Sequence, residues 1–108
     1  MDLLLEQKRR ELERDEEARR EILGALRAAP AREAPGAVAW VYGSVTSPGG
    51  FNRYSDLDVA FESLPRDASL YALQSLLSAA CGREVDVCFL HETRLEEKIR
   101  REGERWTV

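Results

Sequence analysis

Asp56 and Asp58 stand one residue apart at the head of an apolar run, Val59-Ala60-Phe61, directly behind a loop rich in glycine. Two carboxylates on one face of a strand repel each other and resist burial, so the pattern calls for a positive species nearby. Alternation along a strand sets Asp56, Asp58, Ala60 and Glu62 on one face and Leu57, Val59 and Phe61 on the other, the core side. Residues 84–90, Glu-Val-Asp-Val-Cys-Phe-Leu, repeat the pattern, with Val85, Val87 and Phe89 inward and Glu84, Asp86 and Cys88 opposite. If the two strands are neighbours, Asp86 lies beside Asp56 and Asp58. Carboxylate donors of this kind favour a hard divalent cation, Mg²⁺ or Mn²⁺. The chain has one histidine, His91, which excludes a histidine dyad or a multi-histidine metal site.

The loop ahead of the acids opens with Gly43-Ser44 and runs through Val45-Thr46-Ser47-Pro48-Gly49-Gly50 to Arg53 and Ser55. It is not a Walker A loop, since no Gly-Lys-Ser/Thr follows. Taken singly, each feature has an ordinary explanation: charges point outward from many surface strands, and glycine-rich loops are usually turns. The combination of a strand ending in Gly-Ser, a crossing loop, an acidic pair and a third acid on a neighbouring strand is more specific.

These residues need a scaffold, and the rest of the chain supplies the signals for one. Residues 3–28 carry no proline, and no glycine before Gly24, and predict a long helix that Pro30 ends. Ile22, Leu23 and Leu26 form its core-facing stripe, while Leu3, Leu4, Leu5 and Leu12 make a thin apolar edge on an otherwise charged stretch. Glu6 with Arg10 and Glu16 with Arg20 have helical ion-pair spacing. That charged stretch reads as a solvated surface, or as the edge that docks a partner or a second copy. Residues 29–36 read as a linker, 37–42 as a buried strand and 56–62 as a second strand. Residues 67–80 predict an amphipathic helix with Asp67 as cap and Gly82 as stop. Residues 84–90 predict a third strand. Thr93 and Glu96 have the spacing of a capping box for a final helix ending at Gly103, and residues 105–108 suit a short edge strand. The expected architecture is α/β (α+β): a small mixed sheet with helices on one face, and a long N-terminal helix. The expected organisation is one domain, 1–108, with helix 1–29, linker 30–36 and core 37–108.

Composition narrows the function. A net charge of −4 argues against a nucleic-acid surface, which carries a basic stripe. The opening residues contain no sustained apolar segment, so a cytoplasmic protein is expected. Cys81 and Cys88 lack CxxC spacing and read as core fillers.

Gly43-Ser44, Asp56-Leu57-Asp58 preceded by Ser55, and Asp86 within Glu-Val-Asp-Val together resemble the hallmark of minimal nucleotidyltransferases of the DNA polymerase β superfamily. The resemblance runs from about residue 22 to the end. It implies that Asp56, Asp58 and Asp86 hold two divalent ions, and that Asp86 also assists deprotonation of an acceptor hydroxyl. It further implies that Gly43, Ser44, Ser55 and Arg53 meet the triphosphate of ATP, the substrate. It departs from the family in the loop, where Val45–Gly50 carries no basic residue before Arg53. Members of this class are often paired with a small helical, toxin-like protein of the HEPN type, which implies transfer of AMP from ATP to a hydroxyl of such a partner by an antitoxin. The alternative is an antitoxin or nucleotide sensor that acts by stoichiometric contact, without catalysis.

Overall fold

Four short stretches of the chain form strands, and a computed structural model describes them over residues 2–108. The strands are β1 (Val38–Tyr42), β2 (Asp58–Ser63), β3 (Asp86–Phe89) and β4 (Glu104–Thr107). They form one mixed sheet in the order β3-β2-β1-β4. β1 pairs antiparallel with β2 and β4, and β2 pairs parallel with β3. A parallel neighbour demands a crossover, and helix α3 (Leu70–Cys81) provides it between β2 and β3.

The helices are α1 (Leu3–Ala28), α2 (Pro30–Glu33), α3 and α4 (Glu96–Glu102). α1 begins where Asp2 accepts hydrogen bonds from the amides of Leu4 and Leu5. Its C-terminal half packs on the sheet: Leu26 is buried, and Ile22 and Leu23 lie against the core. Leu3, Leu4, Leu5 and Leu12 are exposed, so the first half of α1 projects past the body, consistent with a longest dimension of 58 Å. α3 stops at Gly82, which takes the left-handed conformation at φ 67° that favours glycine.

The main core joins Leu26, Leu73 and Leu77 of the helices to Ala39, Val41, Val59 and Phe61 of the sheet, with Leu57, Val85 and Trp106. On the opposite face a smaller cluster of Trp40, Ala60, Leu90 and Ile99 seats α4 over part of the sheet. The larger helices thus share one face as expected, and the short last helix caps a patch of the other. Trp40 is buried there, and its indole N–H donates to Glu62 at 3.0 Å.

Several boundaries differ from the sequence reading. β2 begins at Asp58, not Asp56, and β3 spans Asp86–Phe89. Residues 29–36 include the single helical turn α2, which proline at its first position favours. α3 starts at Leu70 and is capped by Ser69 rather than Asp67. The Thr93–Glu96 capping box does not form: the Glu96 carboxylate sits 2.8 Å from His91 Nδ1, and Thr93 instead accepts from the amide of Leu95. Glu6 pairs with Arg9 at 3.9 Å rather than with Arg10. No helix is long and apolar enough to cross a membrane among the described residues.

This packing separates the two halves of α1 and of the core energetically. Leu73→Ala is expected to cost about 2–5 kcal/mol in urea denaturation, since a fully buried side chain leaves a cavity. Leu5→Ala, two-thirds exposed, is expected to change stability by less than about 0.5 kcal/mol.

Candidate active site

The site grows from one register. Tyr42 of β1 faces Asp58 of β2, and Asp58 faces Asp86 of β3. Side chains opposite each other in a ladder lie close, so the Asp58 and Asp86 carboxylates are neighbours on the face away from the main core. The backbone locks this pairing: the Asp86 amide donates to the Leu57 carbonyl at 2.9 Å. Leu57 is buried in the core, which turns its neighbours Asp56 and Asp58 the other way.

Burial raises the Asp58 carboxyl above its ordinary value, and the charges of Asp86 and then Asp56 raise it further. Asp58 is half-buried, whereas Asp56 and Asp86 are exposed. The structure therefore brings Asp58 and Asp86 side by side and leaves Asp56 on the exposed approach to β2, close enough to act on Asp58. Among the described residues no three His, Cys, Asp or Glu side chains gather into a ready metal cage. The Asp58–Asp86 pair nevertheless offers the carboxylate oxygens that a hard cation takes, and among the described residues no cationic side chain pairs with either.

Tyr42 and Cys88 complete the floor. Burial raises both groups above their ordinary values, with the charge of Asp58 adding to the effect. Ala60, opposite Cys88 and next to Asp58 on the same face, is small enough to leave room.

Directly after Tyr42 the chain leaves the sheet at Gly43, whose φ of 89° lies in the left-handed region that suits glycine. Ser44–Thr46 then form a short 3₁₀ turn. The Gly43 carbonyl accepts from the Thr46 amide at 3.1 Å and the Thr46 hydroxyl at 2.8 Å. Val45 is fully buried and anchors the turn, while Gly43 is exposed and Ser44 half-exposed. The turn begins at the end of β1 where Asp58 starts β2, so Gly43-Ser44 and the acids border the same end of the sheet.

Ser55 and Arg53 are placed less directly. The Ser55 hydroxyl accepts from the Asn52 amide at 3.0 Å, and so holds the loop's own shape. Arg53 lies over the Tyr54 ring, 4.9 Å from its centre. With Asn52 and Tyr54 it faces Glu11, Arg14 and Asp15 of α1 across a cleft of about 510 Å³. The sequence offers Arg53 as the only cation near the loop, and the structure corrects that. Arg83 donates to the Ser55 carbonyl and lies over Phe51. Arg19, from the middle of α1, donates to the Val45 carbonyl at 3.0 Å. Neither contact has a local sequence signal, since the partners are 28 and 26 residues apart.

Comparison with known proteins follows this geometry. No family model matches the chain, and no curated protein matches it. Among solved structures it is similar to a protein provisionally designated a minimal nucleotidyltransferase, at 29% identity and a TM-score of 0.57 over 87% of this chain and 94% of that one. It is also similar to a chain of a toxin–antitoxin structure with AMP-PNP, at 24% identity and a TM-score of 0.54 over 83% of this chain and 73% of that one. The family resemblance drawn from the motifs is thus met in three dimensions: the fold is that of the minimal nucleotidyltransferase.

Asp58 supplies a test of the charge cluster that needs no ligand. A carboxyl raised in the folded state binds its proton more tightly there than in the unfolded chain, so its ionisation opposes folding. The penalty is full above its folded pKa, fades as pH falls from there toward the ordinary 3.8, and is gone below it. Asp58→Asn is expected to melt higher than wild type at pH 7 in the absence of divalent ions, and the difference should close as the pH is lowered through that range. Thermal unfolding of both proteins from pH 7 to 3 measures it.

Proposed function

We propose that this chain is a nucleotidyltransferase that transfers AMP from ATP to a hydroxyl, carried by a protein partner, as the antitoxin of a toxin–antitoxin pair. The observation that carries the reading is the register of Asp58 with Asp86, bordered by the Gly43-Ser44 turn at the same end of the sheet. The structural likeness to a minimal nucleotidyltransferase supports the transferase class, and the neighbour with AMP-PNP supports a nucleoside triphosphate as donor.

Asp58 and Asp86, with Asp56 at the rim, are the residues to hold a divalent ion, Mg²⁺ or Mn²⁺. Such an ion, when bound, supplies the positive charge that neutralises the phosphates and the three acids alike. Gly43 brings backbone close to the phosphates without a side chain in the way, and Ser44 offers a hydroxyl and the leading amide of a helical turn. Asp86 is exposed, and it accepts the proton of the acceptor hydroxyl. The hydroxyl oxygen then forms a bond to the α-phosphorus as the bond from that phosphorus to the β-phosphate bridging oxygen breaks, and pyrophosphate leaves. Tyr42 and Cys88, both neutral, keep the floor free of further negative charge.

A second reading has its own observation. The exposed Leu3, Leu4, Leu5 and Leu12 of α1 offer a contact edge, which fits an antitoxin that acts by binding alone. Catalytic dependence separates the two. Wild type is expected to bind AMP-PNP by calorimetry only with Mg²⁺, and Asp58→Asn is expected to lose that binding by at least about tenfold, since both charge and ligand are removed. Transfer of label from α-labelled ATP to a co-expressed partner should vanish in the same variant. Label transfer that persists in Asp58→Asn would remove the acids from the mechanism, and absence of nucleotide binding up to millimolar concentration would favour contact alone.

A further inference from the structure

The turn at Gly43-Ser44 is held from outside its own loop. Arg19 projects from α1 and donates through one terminal nitrogen to the Val45 carbonyl at 3.0 Å. Its other two donors grip Glu16, Nε to one carboxylate oxygen at 2.9 Å and the second terminal nitrogen to the other at 2.8 Å. Its side chain is only 11% exposed, while its neighbour Arg20, which also meets Glu16, is 76% exposed. A bidentate carboxylate fixes the plane of a guanidinium, so the remaining donor points in one direction. That direction is the carbonyl at the centre of the 3₁₀ turn.

We propose that Arg19, aimed by Glu16, is a positioning residue for the nucleotide: it fixes the Ser44–Thr46 turn in the conformation that receives the triphosphate. The inference rests on the nucleotidyltransferase reading above. The geometry argues for it in two ways. The loop Val45–Gly50 has no basic residue to draw phosphate in, so its binding depends on backbone and hydroxyl groups whose placement must be exact to a fraction of an ångström. The turn itself is secured at its centre by buried Val45, but Gly43 before it is exposed, and exposed Pro48, Gly49 and Gly50 follow it. Arg19 ties this segment to α1, whose C-terminal half is anchored in the core. Glu16 is held well below the ordinary carboxylate range, to about 2, chiefly by its bond to Arg19, which agrees with an ion pair that persists at neutral pH.

The test compares wild type, Arg19→Ala, Arg19→Lys and Arg20→Ala by titration with AMP-PNP and Mg²⁺, with the melting temperature of each. Arg19→Ala is expected to weaken binding about tenfold, the scale of one charge-assisted hydrogen bond. Arg20→Ala, which touches only Glu16, is expected to bind as wild type does. Arg19→Lys, which keeps the charge without the planar fork, should fall between them. A fold-stabilising role alone would lower the melting temperature and leave the affinity of the folded protein unchanged, and that result would overturn the proposal. If Arg19→Ala does not fold, wild-type affinity in Arg19→Lys would overturn it equally. Absence of binding by wild type itself would sink the nucleotidyltransferase reading and this inference with it, whereas wild-type affinity in Arg19→Ala sinks this inference alone.

Discussion

The repulsion between Asp58 and Asp86 is the constraint around which this molecule is arranged. A parallel pair of strands places them opposite each other, and a parallel pair cannot be made without a crossover. α3 is that crossover, and its Leu73 and Leu77 pack beneath the very strands whose other faces carry the acids. The apolar side of β2, Val59 and Phe61, with Leu57 just ahead of it, thus pins the register that holds the charges together. Slipping β2 by one residue would bury Asp58 and expose Val59, so hydrophobic packing enforces an electrostatic cost.

The rest of the acid face is divided by charge. Toward one end Glu62 is satisfied by the Trp40 indole and by Arg100 and Arg105, at 3.2 Å and 3.4 Å, so it carries no unmet negative charge. Toward the other end Asp58 and Asp86 have no such partner among the described residues, and the exposed Asp56 adds to their field. The same strand therefore bears a compensated carboxylate and an uncompensated one, four residues apart. That contrast separates a carboxylate with cationic partners from one whose neighbours only repel it.

Much of this was legible in the sequence, because strand alternation is a strict period of two. Asp58, Ala60 and Glu62 on one face, with Leu57, Val59 and Phe61 on the other, follow from that period alone, and so does the placement of Asp86 opposite Val85 and Val87. Element ends were less legible: whether Asp67 or Ser69 caps α3, or Glu96 bonds Thr93 or His91, depends on competition between partners of similar strength. The arginines were not legible at all. Arg19 and Arg83 sit within charged or polar stretches where nothing local marks them, and only the folded chain brings them to backbone carbonyls of the loop.

α1 is continuous in its backbone hydrogen bonds yet divided in what sustains them. From Arg19 to Leu26 it is fastened by packing and by the loop; from Leu3 to Arg14 nearly every side chain faces solvent. Isolated helical turns are marginal in water, so the outer segment borrows its order from the inner one. Its melting uncovers almost no apolar surface that was not already wet, and so carries little of the heat-capacity change that marks cooperative unfolding. The outer turns are free to fray and reform as a silent transition, with α1 acting as a solid rod at one end and a yielding one at the other.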